Sequence, residues 1–284
     1  MKVFKKGLIF LFVICLICSL LSGCTVGSQS SDTGFDGLKV HYIDVGQGDS
    51  ILIQVNNKNI LIDAGTGEST PKLISYLKKQ NIKSFEYVIA THPHEDHIGG
   101  MADVIKDFDI GRFYMPKKVA DTKVFLNMIN ALKSKNIKAN IAKAGVSLDI
   151  GPDASLKMLA PNGTNYESLN NYSAVVMLTY KSKRFLFEGD AEKLSEKEIL
   201  NTGSDIACDV LKVGHHGSSS STSKEFLDKA APKIAVISCG KNNDYGHPHK
   251  VTLTNLKKHN VKIYRTDIDG TIVIKSDGNN IYKE

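Results

Sequence analysis

The chain has 284 residues, of which 42% are hydrophobic and 23% charged, with a formal net charge of +6. Lys2, Lys5 and Lys6 supply half of that excess at an acid-free N-terminus. The rest, about +3, does not call for a dedicated nucleic-acid groove.

The first element is not part of a fold. After the three lysines comes an apolar run from Gly7 to Leu21, then Leu21-Ser22-Gly23-Cys24. A basic segment, an apolar segment and small residues form a secretory signal. The run is short for a membrane span of about 20 residues. The Leu-Ser-Gly-Cys ending resembles a bacterial lipobox, which implies cleavage before Cys24 and lipidation of its thiol. Residues 1–24 are therefore expected as a signal peptide, with Cys24 the first mature residue at the extracytoplasmic face of the cell membrane. Residues 25–37 are rich in Ser, Gly, Thr and Asp and read as a flexible tether. Residues 38–284 suit one α/β domain with a large core.

Within that domain, short strands are predicted at Leu38–Asp44, Ile51–Val55, Asn59–Asp63 and Tyr87–Ala90. Helical spacing follows at Pro71–Gln80, from His97 to Phe108, and at Val124–Ser134. Ile110–Met115 and Lys138–Ile141 read as connecting strands. A second batch of strands covers Ser155–Leu159, Ser173–Tyr180, Arg184–Phe187, Cys208–Val213, Ile234–Ser238, Val261–Tyr264 and Thr271–Lys275. Helices are expected at Glu192–Leu200, Ser223–Ala231 and Leu253–His259. Two batches of strands, each with helices, predict two sheets packed together with helices outside. Cys208 and Cys239, at the ends of apolar runs, read as buried free thiols.

The chemistry concentrates in Thr91-His92-Pro93-His94-Glu95-Asp96-His97-Ile98-Gly99-Gly100, between a strand and a helix. Histidine is a common metal ligand, and ordinary folding does not ask for three in six positions. Side chains two apart on an extended stretch point the same way, pairing His92 with His94. Asp96 and His97 then face a second position, a layout for two neighbouring metal ions. Asp63 closes the strand Leu61-Ile62-Asp63 and Asp190 closes Phe185-Leu186-Phe187-Glu188-Gly189-Asp190. A carboxylate has two oxygens and can bridge two cations, which suits Asp190. His215 and His216 lie between glycines after another strand. Adjacent side chains on an extended stretch point to opposite sides, so one is expected to ligate, with His216 favoured and His215 beside the site. Tyr245-Gly246-His247-Pro248-His249 offers His247 as a substrate or leaving-group contact.

The histidine run resembles the central motif of the metallo-β-lactamase-fold hydrolases at every defined position. With Asp44-Val45-Gly46-Gln47-Gly48-Asp49-Ser50, Asn171 and Ser173, Gly189-Asp190, Val213–Ser218 and Gly246–His249 in this order, the chain looks like the metallo-hydrolase domain of bacterial competence (DNA-uptake) channel proteins, in a stand-alone form. The resemblance implies an αββα sandwich of two mixed sheets packed face to face. It also implies Asp63 as a partner that orients the histidine loop. Many β-lactamases and lactonases of this fold carry a further histidine between the cluster and the bridging Asp. The stretch from Ala142 to Gly189 has none, which lowers the odds of β-lactam hydrolysis and leaves the last ligand to His215 or His216.

The expected activity is that of a metal-dependent phosphodiesterase or nuclease using a hydroxide between two divalent ions, Zn2+ or Mn2+. One ion would take His92, His94 and one of His215 and His216; the other would take Asp96 and His97, with Asp190 between. Asp96, His247 and Asp63 are the expected catalytic participants. The expected partners are a phosphodiester, DNA among the candidates, and the membrane through the lipid anchor. The alternatives are an extracellular ester such as a wall-polymer phosphodiester or a lactone, and a non-catalytic binding protein that keeps the fold.

Overall fold

The computed structural model describes residues 37–284; the leader, Cys24 and residues 25–36 of the tether lie outside the described residues. The first sheet is built from β1 (Leu38–Tyr42), β2 (Ile51–Val55), β3 (Lys58–Ile62), β4 (Ser84–Ile89), β5 (Asp109–Met115) and β6 (Ala139–Ile141). The second holds β7 (Ser147–Asp149), β8 (Ala154–Met158), β9 (Val176–Tyr180), β10 (Lys183–Phe187), β11 (Val210–Lys212), β12 (Ile234–Ile237) and β13 (Lys262–Arg265). Both sheets are mixed. β1 to β3 pair antiparallel and β3 to β6 parallel, whereas β7 to β10 pair antiparallel and β10 to β13 parallel.

Period-two patterning explains the layering. Ile51, Ile53, Ile60, Ile62, Phe185 and Phe187 enter the core between the sheets. Leu52 and Leu61 point the other way, onto α1 (Thr70–Lys79), α2 (Glu95–Ile98), α3 (Met101–Asp107) and α4 (Lys123–Ser134). On the far side Leu186, Met177 and Leu211 meet α5 (Lys193–Asn201), α6 (Lys224–Ala230) and α7 (Lys250–Lys258). The result is the expected αββα sandwich. The last helix, α8, is the single turn Thr266–Asp269. Among the described residues no helix is long and apolar enough to cross a membrane.

The strand predicted at Thr271–Lys275 is placed differently from its expected batch. As β14 (Ile272–Ser276) it crosses to the first sheet, pairing antiparallel with β1 so that Ile274 faces Val40 and Ile272 faces Tyr42. β15 (Ile281–Lys283) extends that edge. The alternating isoleucines serve either sheet equally well, so only the packing of the whole chain assigns them. The helix expected from His97 to Phe108 is broken in two at Gly99-Gly100. A Cβ on Gly99 would lie 2.3 Å from the Gly67 amide nitrogen, so glycine lets the histidine loop press against the loop after β3. Ala64 N–H donates to the His97 carbonyl at 2.7 Å across this contact.

Candidate metal centre

The candidate ligands sit past the carboxyl ends of adjacent parallel strands: Asp63 after β3, the histidine run after β4, Asp190 after β10 and the His-His turn after β11. The two sheets bring these ends to one edge of the sandwich. Parallel neighbours give the loops a common exit, which is where α/β folds gather polar groups.

Asp190 is buried and stands at the middle. Its Oδ1 lies 3.2 Å from His97 Nε2 and 3.5 Å from His216 Nε2. Its Oδ2 lies 3.6 Å from His215 Nε2 and 3.8 Å from His92 Nε2. His92 Nε2 is 3.0 Å from His94 Nδ1, as two side chains on one side of an extended segment should be. Asp96 Oδ2 approaches His216 Nε2 at 3.1 Å and His97 Nε2 at 3.8 Å. Two donor groups result: Asp96, His97, Asp190 and His216 form one, and His92, His94 and Asp190 the other. His216, expected beside His92 and His94, falls instead with Asp96 and His97.

Nor do the adjacent histidines diverge. His215 and His216 occupy a tight turn with φ of +46° and +53°, not an extended stretch. Both imidazoles therefore reach Asp190, one at each oxygen.

Supporting contacts fix the rings. Asp63 is fully buried; its Oδ1 accepts from Thr91 N–H at 2.7 Å and its Oδ2 from Thr91 Oγ1 at 2.6 Å and His97 Nδ1 at 2.7 Å. His216 Nδ1 donates to the Ser238 carbonyl at 2.9 Å. Ser173 Oγ lies 3.3 Å from His92 Nδ1 and accepts from Asp190 N–H at 3.1 Å. Asn171 acts at a distance from the ligands, where its Oδ1 accepts from the backbone N–H groups of Glu192 and Ser195 and caps α5.

Burial pulls the His97 and His216 imidazoles down, but the surrounding aspartates outweigh it, raising His97 well above its usual value and His216 to about 10. Burial, then the neighbouring His216 and His215, lowers His247 to about 4. His247 is therefore neutral near pH 7 and suited to donating a hydrogen bond rather than to delivering a proton as an imidazolium.

The donor set fits divalent cations. His97 Nε2 and Asp190 Oδ1 are buried with no hydrogen-bond partner among the described residues, and both face the Asp96–His216 group. Asp49, Asp63 and His97 form a third cluster. Its carboxylates are already engaged, Asp63 by Thr91 and His97 and Asp49 by Lys212 at 2.8 Å. Above the centre opens a cleft of about 470 Å3, lined by Gln47, Thr66, His94, His215, Tyr245 and His247 among others. Asp49 and Lys212 carry no role in the sequence reading, although a lysine inside the apolar run Val210–Val213 signals a buried counter-charge. Cys208 and Cys239 are free and buried, as expected.

Comparison with known proteins agrees with this geometry. The family described as the Metallo-beta-lactamase superfamily matches residues 43–241. ComE operon protein 3 of Bacillus subtilis (strain 168) is 34% identical, over 82% of this chain and 32% of that protein. Competence protein ComA of Neisseria gonorrhoeae is 25% identical, over 81% of this chain and 31% of its own length. The chain thus spans about a third of the length of these relatives. The metallo-beta-lactamase fold protein YhfI from Bacillus subtilis superposes with a TM-score of 0.55 at 12% identity, over 87% of this chain and 100% of that one, a likeness of fold.

Proposed function

We propose that this chain, which belongs to the Metallo-beta-lactamase superfamily, is a metal-dependent hydrolase whose substrate is a phosphodiester, DNA first among the candidates. The carrying observation is Asp190, whose two oxygens face two separate sets of nitrogen donors. His92, His94 and His215 would hold one cation with Asp190 Oδ2. Asp96, His97 and His216 would hold the other with Oδ1. The donors are nitrogen and oxygen throughout, a set that suits Zn2+ and Mn2+. Bound there, two cations would supply Lewis acidity toward water and toward the phosphoryl oxygens.

The chain's own residues would do the rest. Asp63 orients His97 through Nδ1, leaving Nε2 as the donor. Ser173 steadies His92 and the Asp190 backbone together. His247, neutral at the cleft wall, would donate a hydrogen bond to a phosphate oxygen.

Residues 1–24 support export and attachment through Cys24 to the extracytoplasmic face of the membrane. That location favours a second reading in which the diester belongs to a wall polymer. Resemblance to the competence proteins favours DNA. The deciding experiment counts metals per chain by elemental analysis. The same sample is assayed on single- and double-stranded DNA, on bis-p-nitrophenyl phosphate and on a lactone, with added Mn2+ or Zn2+. About two metals, with DNA cleavage lost in His92→Ala and Asp190→Ala, is the expected result. Diester turnover without DNA cleavage would shift the substrate to the wall polymer, and full activity in either variant would refute the assignment of the site.

A further inference from the structure

Lys212 lies in the parallel core of the second sheet with its side chain fully buried, and its Nζ is 2.8 Å from Asp49 Oδ2. It also donates to the Val213 carbonyl at 2.9 Å. The other oxygen of Asp49 has no hydrogen-bond partner among the described residues and faces His216 Nδ1 at 3.5 Å. The Asp49 backbone binds the centre from the other side: its N–H donates to the Asp96 carbonyl at 3.1 Å and its carbonyl accepts from Gly65 N–H at 2.8 Å. One residue therefore touches the loops that carry Asp63, Asp96 and His216.

Stability gives little reason for this pair, because apolar side chains of similar volume serve a core as well or better. Resting on the metal-centre reading above, we infer that Asp49, paired with Lys212, is a positioning residue that orients His216 and makes the Asp96 side the tighter of two unequal metal sites. Nδ1 of His216 donates to the Ser238 carbonyl at 2.9 Å with the Asp49 charge beside it at 3.5 Å, and Nε2 faces Asp96 and Asp190 at 3.1 and 3.5 Å. Asp63 stands closer behind His97, accepting a hydrogen bond from its Nδ1 at 2.7 Å. Both imidazoles on the Asp96 side thus have an anion behind them, which strengthens them as ligands. On the other side, among the described residues, His92 Nδ1 meets only hydroxyls, Thr91 Oγ1 at 3.1 Å and Ser173 Oγ at 3.3 Å.

The test is titration of the full metal-free chain with Zn2+ against a chromophoric chelator. The wild type is compared with Asp49→Leu/Lys212→Met, a double variant that removes both charges and leaves none unpaired. Circular dichroism and melting establish that the variant is folded. The expected outcome is two steps in the wild type, the tighter weakened 10- to 100-fold in the variant and the weaker unchanged. The Co2+ absorption spectrum of the first-filled site should shift with it. A folded variant whose titration and spectrum overlay the wild type would overturn the proposal and leave the pair a packing device. Should the double variant not fold, Asp49→Asn read by the same titration decides in the same way. A wild type that binds no Zn2+ would instead remove the metal-centre reading itself, with this inference falling after it.

Discussion

Asp63 Oδ2 accepts a hydrogen bond from His97 Nδ1 at 2.7 Å, and neither side chain reaches solvent. The contact fixes which ring nitrogen carries the proton and leaves Nε2 directed toward Asp190 Oδ1 at 3.2 Å. Asp63→Asn keeps the size and removes the charge. It should lower metal affinity 10- to 100-fold, with turnover falling alongside. Asp63→Ala should in addition cost about 1–3 kcal/mol, since Thr91 N–H loses its buried acceptor. Metal retention on dialysis and urea unfolding measure the two effects separately.

Gly48 precedes Asp49 with a φ of +147°, and a Cβ there would lie 2.3 Å from the Asp96 carbonyl oxygen. No rotamer change relieves a clash with backbone. Gly48→Ala should push the loop carrying Asp96 off its position, at a cost of about 1–3 kcal/mol of stability and at least tenfold in turnover. Retained wild-type activity would show that the Asp96 loop tolerates displacement.

The metal-free chain should have a pH optimum of stability on the acid side. Burial lowers His216, but Asp190, Asp49 and Asp96 raise it from 6.5 to about 10. A raised value means the stabilising contribution is complete below pH 6.5 and lost as the pH climbs toward 10. Asp49 is opposite in sign: burial raises it, yet Lys212 and then His216 and His97 bring it from 3.8 to about 2. Its contribution is present above pH 3.8 and lost as the pH falls through about 2. His41 and His247, which burial lowers from 6.5 to about 4, contribute stability that is lost as the pH falls from 6.5 toward 4, so melting of the metal-free chain should peak near pH 6.5 and decline toward both pH 4 and pH 10. Metal affinity should run the other way across the alkaline limb, because ligation requires neutral imidazole. Differential scanning over this range with and without Zn2+ checks both; a flat metal-free curve from pH 6 to 9 would contradict the ion-pair account.

Tyr245 is 67% exposed and its ring stacks on His247 with centroids 5.6 Å apart and an interplanar angle of 20°. Both line the cleft above the centre. If the substrate is single-stranded DNA, this ring is placed to stack a base, worth about 1–3 kcal/mol. Tyr245→Ala should then raise KM for a short oligonucleotide about 5- to 100-fold with kcat retained. KM for an abasic oligomer of the same length should stay unchanged. Equal effects on both substrates would assign Tyr245 to supporting His247 instead.

Much of the centre is legible in the sequence. The histidine run, Asp63 and Asp190 stand at strand ends along the chain, and local geometry alone pairs His92 with His94. The layered fold is legible for the same reason: alternation along Ile51–Val55 and Phe185–Phe187 states which faces are buried, whatever they are buried against. Tertiary structure decided the contacts between distant segments. His216 meets Asp96 across 120 residues, and its side of Asp190 depends on how the two sheets close. The left-handed turn at His215-His216 undid a local rule because backbone outside the extended region no longer alternates side chains. Lys212 announced a buried charge, but its partner, Asp49, came from the opposite sheet's loops, where electrostatics selects a counter-ion by distance in space rather than along the chain.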